Sequence, residues 1–70
     1  MDSPVVVARP SIAVLIPCLN EEAAIARVIE GFRKSLPEAV IFVYDNGSTD
    51  DTVGVAQRAG AVVRKEPLRG

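Results

Sequence analysis

The chain has 70 residues, a formal net charge of −1, 49% apolar and 24% charged residues. That is the composition of one small packed domain, not of a disordered chain, and its near-neutral balance argues against nucleic acid as the main partner. One cysteine and no histidine exclude an internal disulfide framework and a zinc site of the usual kind.

The N-terminal "MDSPVVVARPS" carries an acid and no basic segment ahead of its apolar residues, so it does not read as a secretory signal. Pro4 and Pro10 bracket "VVVAR", and residues 1–10 read as a poorly structured leader. Residues 11–70 then form the folded domain. The longest apolar run, "IAVLIPCL" at 12–19, is too short to span a bilayer and is broken by proline. The expected location is cytoplasmic, including the cytoplasmic face of a membrane.

"SIAVLI", 11–16, is a continuous β-prone run, the pattern of a strand covered on both faces in a parallel sheet. Pro17 is expected to end its pairing, and Cys18 to be a buried reduced thiol. A helix is expected to open at Asn20, with Asn20 as its cap and Glu21 and Glu22 in its first turn. Ala24, Ile25, Val28, Ile29, Phe32 and Leu36 make one apolar stripe, and Pro37 stops the helix. "AVIFVY", 39–44, is a second strand. A second helix is expected from Ser48 or Thr49 with cap chemistry there, facing the sheet through Val53, Val55, Ala56 and Ala59 and ending at Gly60. "AVVRKE", 61–66, is a third strand with an exposed edge, closed by Pro67.

Strand, helix, strand, helix, strand at this spacing predicts an α/β fold: a parallel sheet with right-handed crossovers, the βαβαβ half of a Rossmann-like domain. Ligands of such sheets gather at the carboxyl ends of the strands. "PCLNEE" and "YDNGSTD" therefore share one edge.

Four readings of "VYDNGSTDDT", 43–52, compete. Asn46-Gly47 is a hairpin dipeptide, but no alternating strand follows it. Asp45, Asp50 and Asp51 suggest a calcium loop, but EF-hand spacing and its late glutamate are absent. Asp45 and Ser48 could simply cap the second helix. The fourth reading is the lip of a nucleotide pocket, with a carboxylate or amide on a base edge and a helix N-terminus nearby for ribose or phosphate. G-x-G-x-x-G and the Walker A loop are both absent, which disfavours nicotinamide and ATP sites of those types.

"VLIPCLNEE" followed by "VYDNGSTDDT" resembles the opening of the family 2 glycosyltransferases: Pro-x-x-Asn-Glu after one strand, then Asp-(Asp/Asn)-x-Ser-x-Asp-x-Thr after the next. These are inverting enzymes of the GT-A fold, and dolichyl-phosphate mannosyltransferases and related polyprenyl-phosphate sugar transferases share this opening. The resemblance spans about residues 11–70. It implies that Pro17, Leu19 and Glu21 line the donor nucleotide and that Asp45 and Asn46 grip its base. Asn46 stands where the family often has Asp, and an amide can read uracil or guanine. The implied donor is a UDP- or GDP-linked sugar, and the implied acceptor a polyprenyl phosphate or a glycan.

The resemblance also implies a divalent metal, Mg²⁺ or Mn²⁺, on an Asp-x-Asp motif, and a catalytic base. Neither motif nor base lies in this chain, so no catalytic or metal-binding residue is assigned. Arg69 reads either as a neighbour of the diphosphate or as a solvated surface arginine. The chain then reads as the N-terminal nucleotide-binding part of a glycosyltransferase, inactive alone. A stand-alone module that binds a nucleotide or a partner protein without catalysis is the alternative.

Overall fold

The computed structural model describes residues 12–65. The expected leader at 1–10, Ser11, the end of the third strand at Glu66, Pro67 and Arg69 lie outside the described residues. In chain order the elements are β1 (Ala13–Cys18), α1 (Ile25–Ser35), β2 (Val40–Asp45), α2 (Thr52–Arg58) and β3 (Val62–Arg64). The strands form one parallel sheet in the order β1-β2-β3. Cys18 lies opposite Asp45 and Tyr44 opposite Arg64. The strand ends that carry the two polar loops are thus level with one another.

Both crossovers step the same way across the sheet. With right-handed connections this stacks α1 and α2 on a single face. The core forms there, from Cys18 of β1, Ile25 and Ile29 of α1, Ile41 and Val43 of β2, and Ala56 of α2, with Ala61. The expectation of strands buried on both faces is corrected accordingly. Burial alternates along β1 and β2, and the opposite face leaves Leu15 60% exposed, with Val40 and Val62 also exposed. Among the described residues nothing covers that face.

Pro17 does not end β1; it pairs in register with Tyr44. The reason lies in the ladder. Val40 N–H donates to Ile12 O, and Asn46 N–H to Cys18 O. Even-numbered residues of β1 therefore turn their polar groups toward β2, and Pro17 points its missing N–H the other way, where no ladder bond is lost.

Both helices start later than their caps suggested. α1 begins at Ile25, and its capping residue is Ala24 with no side-chain cap bond. A preceding turn carries the chain in, with the amides of Ala24 and Ile25 both donating to Glu21 O at 3.0 and 2.8 Å. Asn20 itself sits in the left-handed region at φ +53°, which cannot begin a right-handed helix. Of the expected stripe, Ile25 and Ile29 are buried and Leu36 half-buried, while Ala24, Val28 and Phe32 are exposed. α1 ends at Ser35, two residues ahead of Pro37. α2 begins at Thr52, again without a side-chain cap bond. It ends as expected at Gly60, φ +100°. There Ala61 N–H reaches Ala56 O and Gly60 N–H reaches Gln57 O, both at 3.1 Å, the paired bonds of a Schellman turn. Arg33 of α1 adds a bond from Nη1 to Ala59 O at 3.0 Å.

Candidate nucleotide-binding edge

The residues expected to cap helices join the two loops to each other instead. Asn20 Oδ1 accepts the amide of Thr49 at 2.8 Å, the Thr49 hydroxyl at 3.3 Å and the amide of Asp50 at 3.4 Å. In return the amide of Asn20 donates to Ser48 Oγ at 2.8 Å, and that hydroxyl donates to Asp45 Oδ1. A second relay runs beside the first. Glu21 N–H donates to Thr52 Oγ1 at 2.8 Å, and the Thr52 hydroxyl donates to Asp50 Oδ1. Glu22 N–H completes the set on Asp50 Oδ2 at 3.3 Å. α2 does not start at Ser48 or Thr49: Asp45 and Asn20 hold the amides of 48, 49 and 50 in the loop, and the helical bonds begin only with Val55 N–H to Asp51 O at 2.9 Å.

Asp45 closes β2 and is only 5% exposed. Its Oδ2 accepts the amides of Gly47 at 3.3 Å and Ser48 at 3.0 Å. Gly47, at φ +93°, lets the chain fold back far enough for this. Burial by itself would raise the Asp45 carboxyl. The hydroxyl and amide of Ser48, the amide of Gly47 and the charge of Lys65 outweigh it and hold the group below its ordinary value. Asp50 is lowered chiefly by the Thr52 hydroxyl, against a desolvation that raises it, with the amides of Thr52 and Glu22 helping. Cys18 is buried as expected. Burial, then the charges of Glu21 and Asp45, push its thiol up, so it is a poor nucleophile.

A cleft of about 400 Å³ opens at this edge, lined by Asp45, Asn46, Gly47, Ser48, Asp50, Val53 and Lys65. It brings together Asp45 and Asn46 of the expected binding residues. Pro17, Leu19 and Glu21 stand at the same end of the sheet, exposed, but do not line the cleft. Ser48, Thr52 and Asn20 had read as cap residues, and Asp50 as part of the disfavoured calcium loop. Lys65 was missed as a site residue altogether, because the expected third strand ran through it to Glu66, whereas β3 ends at Arg64. Among the described residues no three carboxylate, thiol or imidazole groups gather as a metal site, so these residues do not fit a metal ion and no step is derived through one. No helix of the described residues is long and apolar enough to cross a membrane. The parallel sheet excludes the hairpin reading of Asn46-Gly47.

A parallel sheet with a polar cleft at the carboxyl ends of its second and third strands has the layout of the doubly wound α/β folds, whose ligands gather at that end. Residues 13–69 match Glycosyl transferase family 2, and the chain belongs to that family. It is 55% identical over 60 residues to protein RfbJ of Shigella flexneri, covering 86% of this chain and 46% of that one. It is 43% identical over 67 residues to an uncharacterized glycosyltransferase of Mycobacterium tuberculosis, covering 90% and 28%. Among solved structures it resembles glucosyl-3-phosphoglycerate synthase of Mycobacterium tuberculosis in complex with Mn²⁺, UDP and glucosyl-3-phosphoglycerate. That match has a TM-score of 0.69 and 41% identity, over 80% of this chain and 21% of the synthase. The chain thus spans less than half the length of these relatives, and its neighbours bear out the GT-A architecture.

Proposed function

We propose that this chain is the nucleotide-binding part, residues 11–70, of an inverting glycosyltransferase that moves a sugar from a nucleotide-sugar donor to an acceptor hydroxyl or a lipid phosphate. The observation that carries this reading is the buried Asp45, its carboxyl held below its ordinary value, beside Asn46 in a cleft whose loop is hydrogen-bonded through Asn20 to the loop of the other family motif. A carboxylate offers about four acceptor positions, and three on Asp45 are filled from within the loop. The remaining one on Oδ1 suits a single N–H of a base edge, as uracil and guanine both present. Asn46 adds an amide that can donate and accept. Pro17, Leu19 and Glu21, exposed on the first loop at the same end of the sheet but outside the cleft lining, would meet the nucleotide beyond the cleft.

UDP is the donor nucleotide this reading favours, since the related synthase is solved with UDP, both with and without Mn²⁺, and with UDP-glucose and Mn²⁺. Glu21, Glu22, Asp45, Asp50 and Asp51 make the edge acidic, and Lys65 is the cation that lines the cleft. Such an edge suits the base and ribose. The diphosphate needs positive charge from elsewhere, and the related synthase is solved with Mn²⁺ together with UDP. The reaction would run on the cytoplasmic side, where polyprenyl phosphates and growing glycans are both reachable acceptors. Calorimetric titration of the chain with UDP and GDP tests the reading. UDP should bind weakly and Asp45→Ala should remove the heat; an unchanged affinity in that variant would refute the base-gripping role.

A further inference from the structure

We propose that Asn20 is a positioning residue for nucleotide recognition. It acts through the second loop, holding Asp45 and Asn46 in the arrangement that meets the base. The inference rests on the reading of the cleft as a nucleotide site.

Three observations carry it. First, Asn20 grips the second loop with both its side chain and its backbone. Oδ1 takes the amides of Thr49 and Asp50, which have no helical acceptor because α2 starts only at Thr52. Its own N–H meets Ser48 Oγ. Second, the Ser48 hydroxyl passes that contact on to Asp45 Oδ1. The chain of bonds therefore ends on the carboxylate that lines the cleft, and decides which of its acceptor positions stays open. Third, the backbone at Asn20 has φ +53°. Asn, Asp and Gly tolerate that region, and other residues do so at a cost. The position demands both a left-handed backbone and a short acceptor, which the amide satisfies without adding to the negative charge of this edge. Asn20 does not line the cleft, so its effect on a ligand is indirect.

The two roles separate by substitution. Asn20→Gly keeps the backbone and removes the acceptor. Asn20→Asp keeps both. The ¹⁵N-labelled chain and each variant are titrated with UDP and followed by NMR, with amide exchange and urea midpoints measured in parallel. Asn20→Gly is expected to weaken UDP about five- to tenfold, the equivalent of one or two lost hydrogen bonds. Asn46, Gly47 and Ser48 should exchange faster, while the amides of the sheet stay protected. Asn20→Asp is expected to restore the protection of Thr49 and Asp50. Because it adds a charge, its binding is read with uridine, which is uncharged and should bind as it does to the unaltered chain.

Unchanged UDP affinity in Asn20→Gly would overturn the inference while leaving the nucleotide site in place. A loss no larger than the loss of folded protein would overturn it too. If Asn20→Gly does not fold, Asn20→Asp decides: loss of uridine binding despite restored amide protection contradicts the positioning role. If the unaltered chain takes neither UDP nor uridine, the nucleotide reading falls and the inference falls with it.

Discussion

Replacing Thr52 by Val tests how strongly the two loops are joined. Thr52 is fully buried, and its hydroxyl accepts Glu21 N–H at 2.8 Å while donating to Asp50 Oδ1. Both residues are β-branched and similar in helix propensity, so α2 and the local packing should survive. What changes is that a partly buried amide loses its acceptor and a carboxylate loses a donor. An orphaned buried polar group costs about 1–3 kcal/mol, and the extra apolar surface recovers a fraction of that, leaving about 1.5 kcal/mol. A chain of this size holds only a few kcal/mol in all, so the loss is a large share. In urea, with a slope of about 1 kcal/mol per molar, the midpoint should fall by about 1.5 M at unchanged slope. Thr52→Ser, which keeps the hydroxyl, should leave Glu21 N–H protected from exchange, whereas Thr52→Val should expose it. A midpoint within about 0.3 M of the unaltered chain, with Glu21 still protected in the Val variant, would refute the relay.

Two further outcomes follow from the same geometry. Gly60→Ala should lower stability by about 1–2 kcal/mol in a urea titration, because φ is +100° there and a Cβ would stand 1.9 Å from Arg33 Nη1, displacing it from Ala59 O. Acid should loosen the edge before the rest of the fold. Asp45 and Asp50 are both lowered from their ordinary values, so their contribution is complete at neutral pH and is lost as pH falls below about 5 toward the depressed folded values. Amide exchange from pH 7 to pH 3 reads this, and Gly47 and Ser48 should lose protection ahead of Val43.

The order of elements was legible because each strand is a short apolar run and each helix ends at a proline or glycine. Pro37 and Gly60 are such stops, and Gly60 sits at the predicted turn. The helix starts were not legible. Asn20, Ser48 and Thr52 are residues that cap helices in most settings, and capping uses the same short side chains as bonding across loops. Their partners lie 28 to 31 residues away in the sequence, out of reach of any local pattern. Pro17 misled for a related reason: only the ladder's parity shows that its missing N–H costs nothing. The continuous apolar character of β1 and β2 suggested two covered faces, whereas two crossovers in the same direction cover one. Of the site, Asp45 and Asn46 were readable from their motif. Lys65 was not, because what brings it to the cleft is the alignment of β3 with β2.

The most direct test of a donor nucleotide held at this edge is an NMR titration of the ¹⁵N-labelled chain with UDP, mapped residue by residue. Shift changes are expected at Asn46, Gly47, Ser48 and Lys65 and in the first loop around Leu19 to Glu21, saturating together with one affinity. Changes confined to the open sheet face around Leu15, Phe42 and Val62, or none at millimolar UDP, would contradict it.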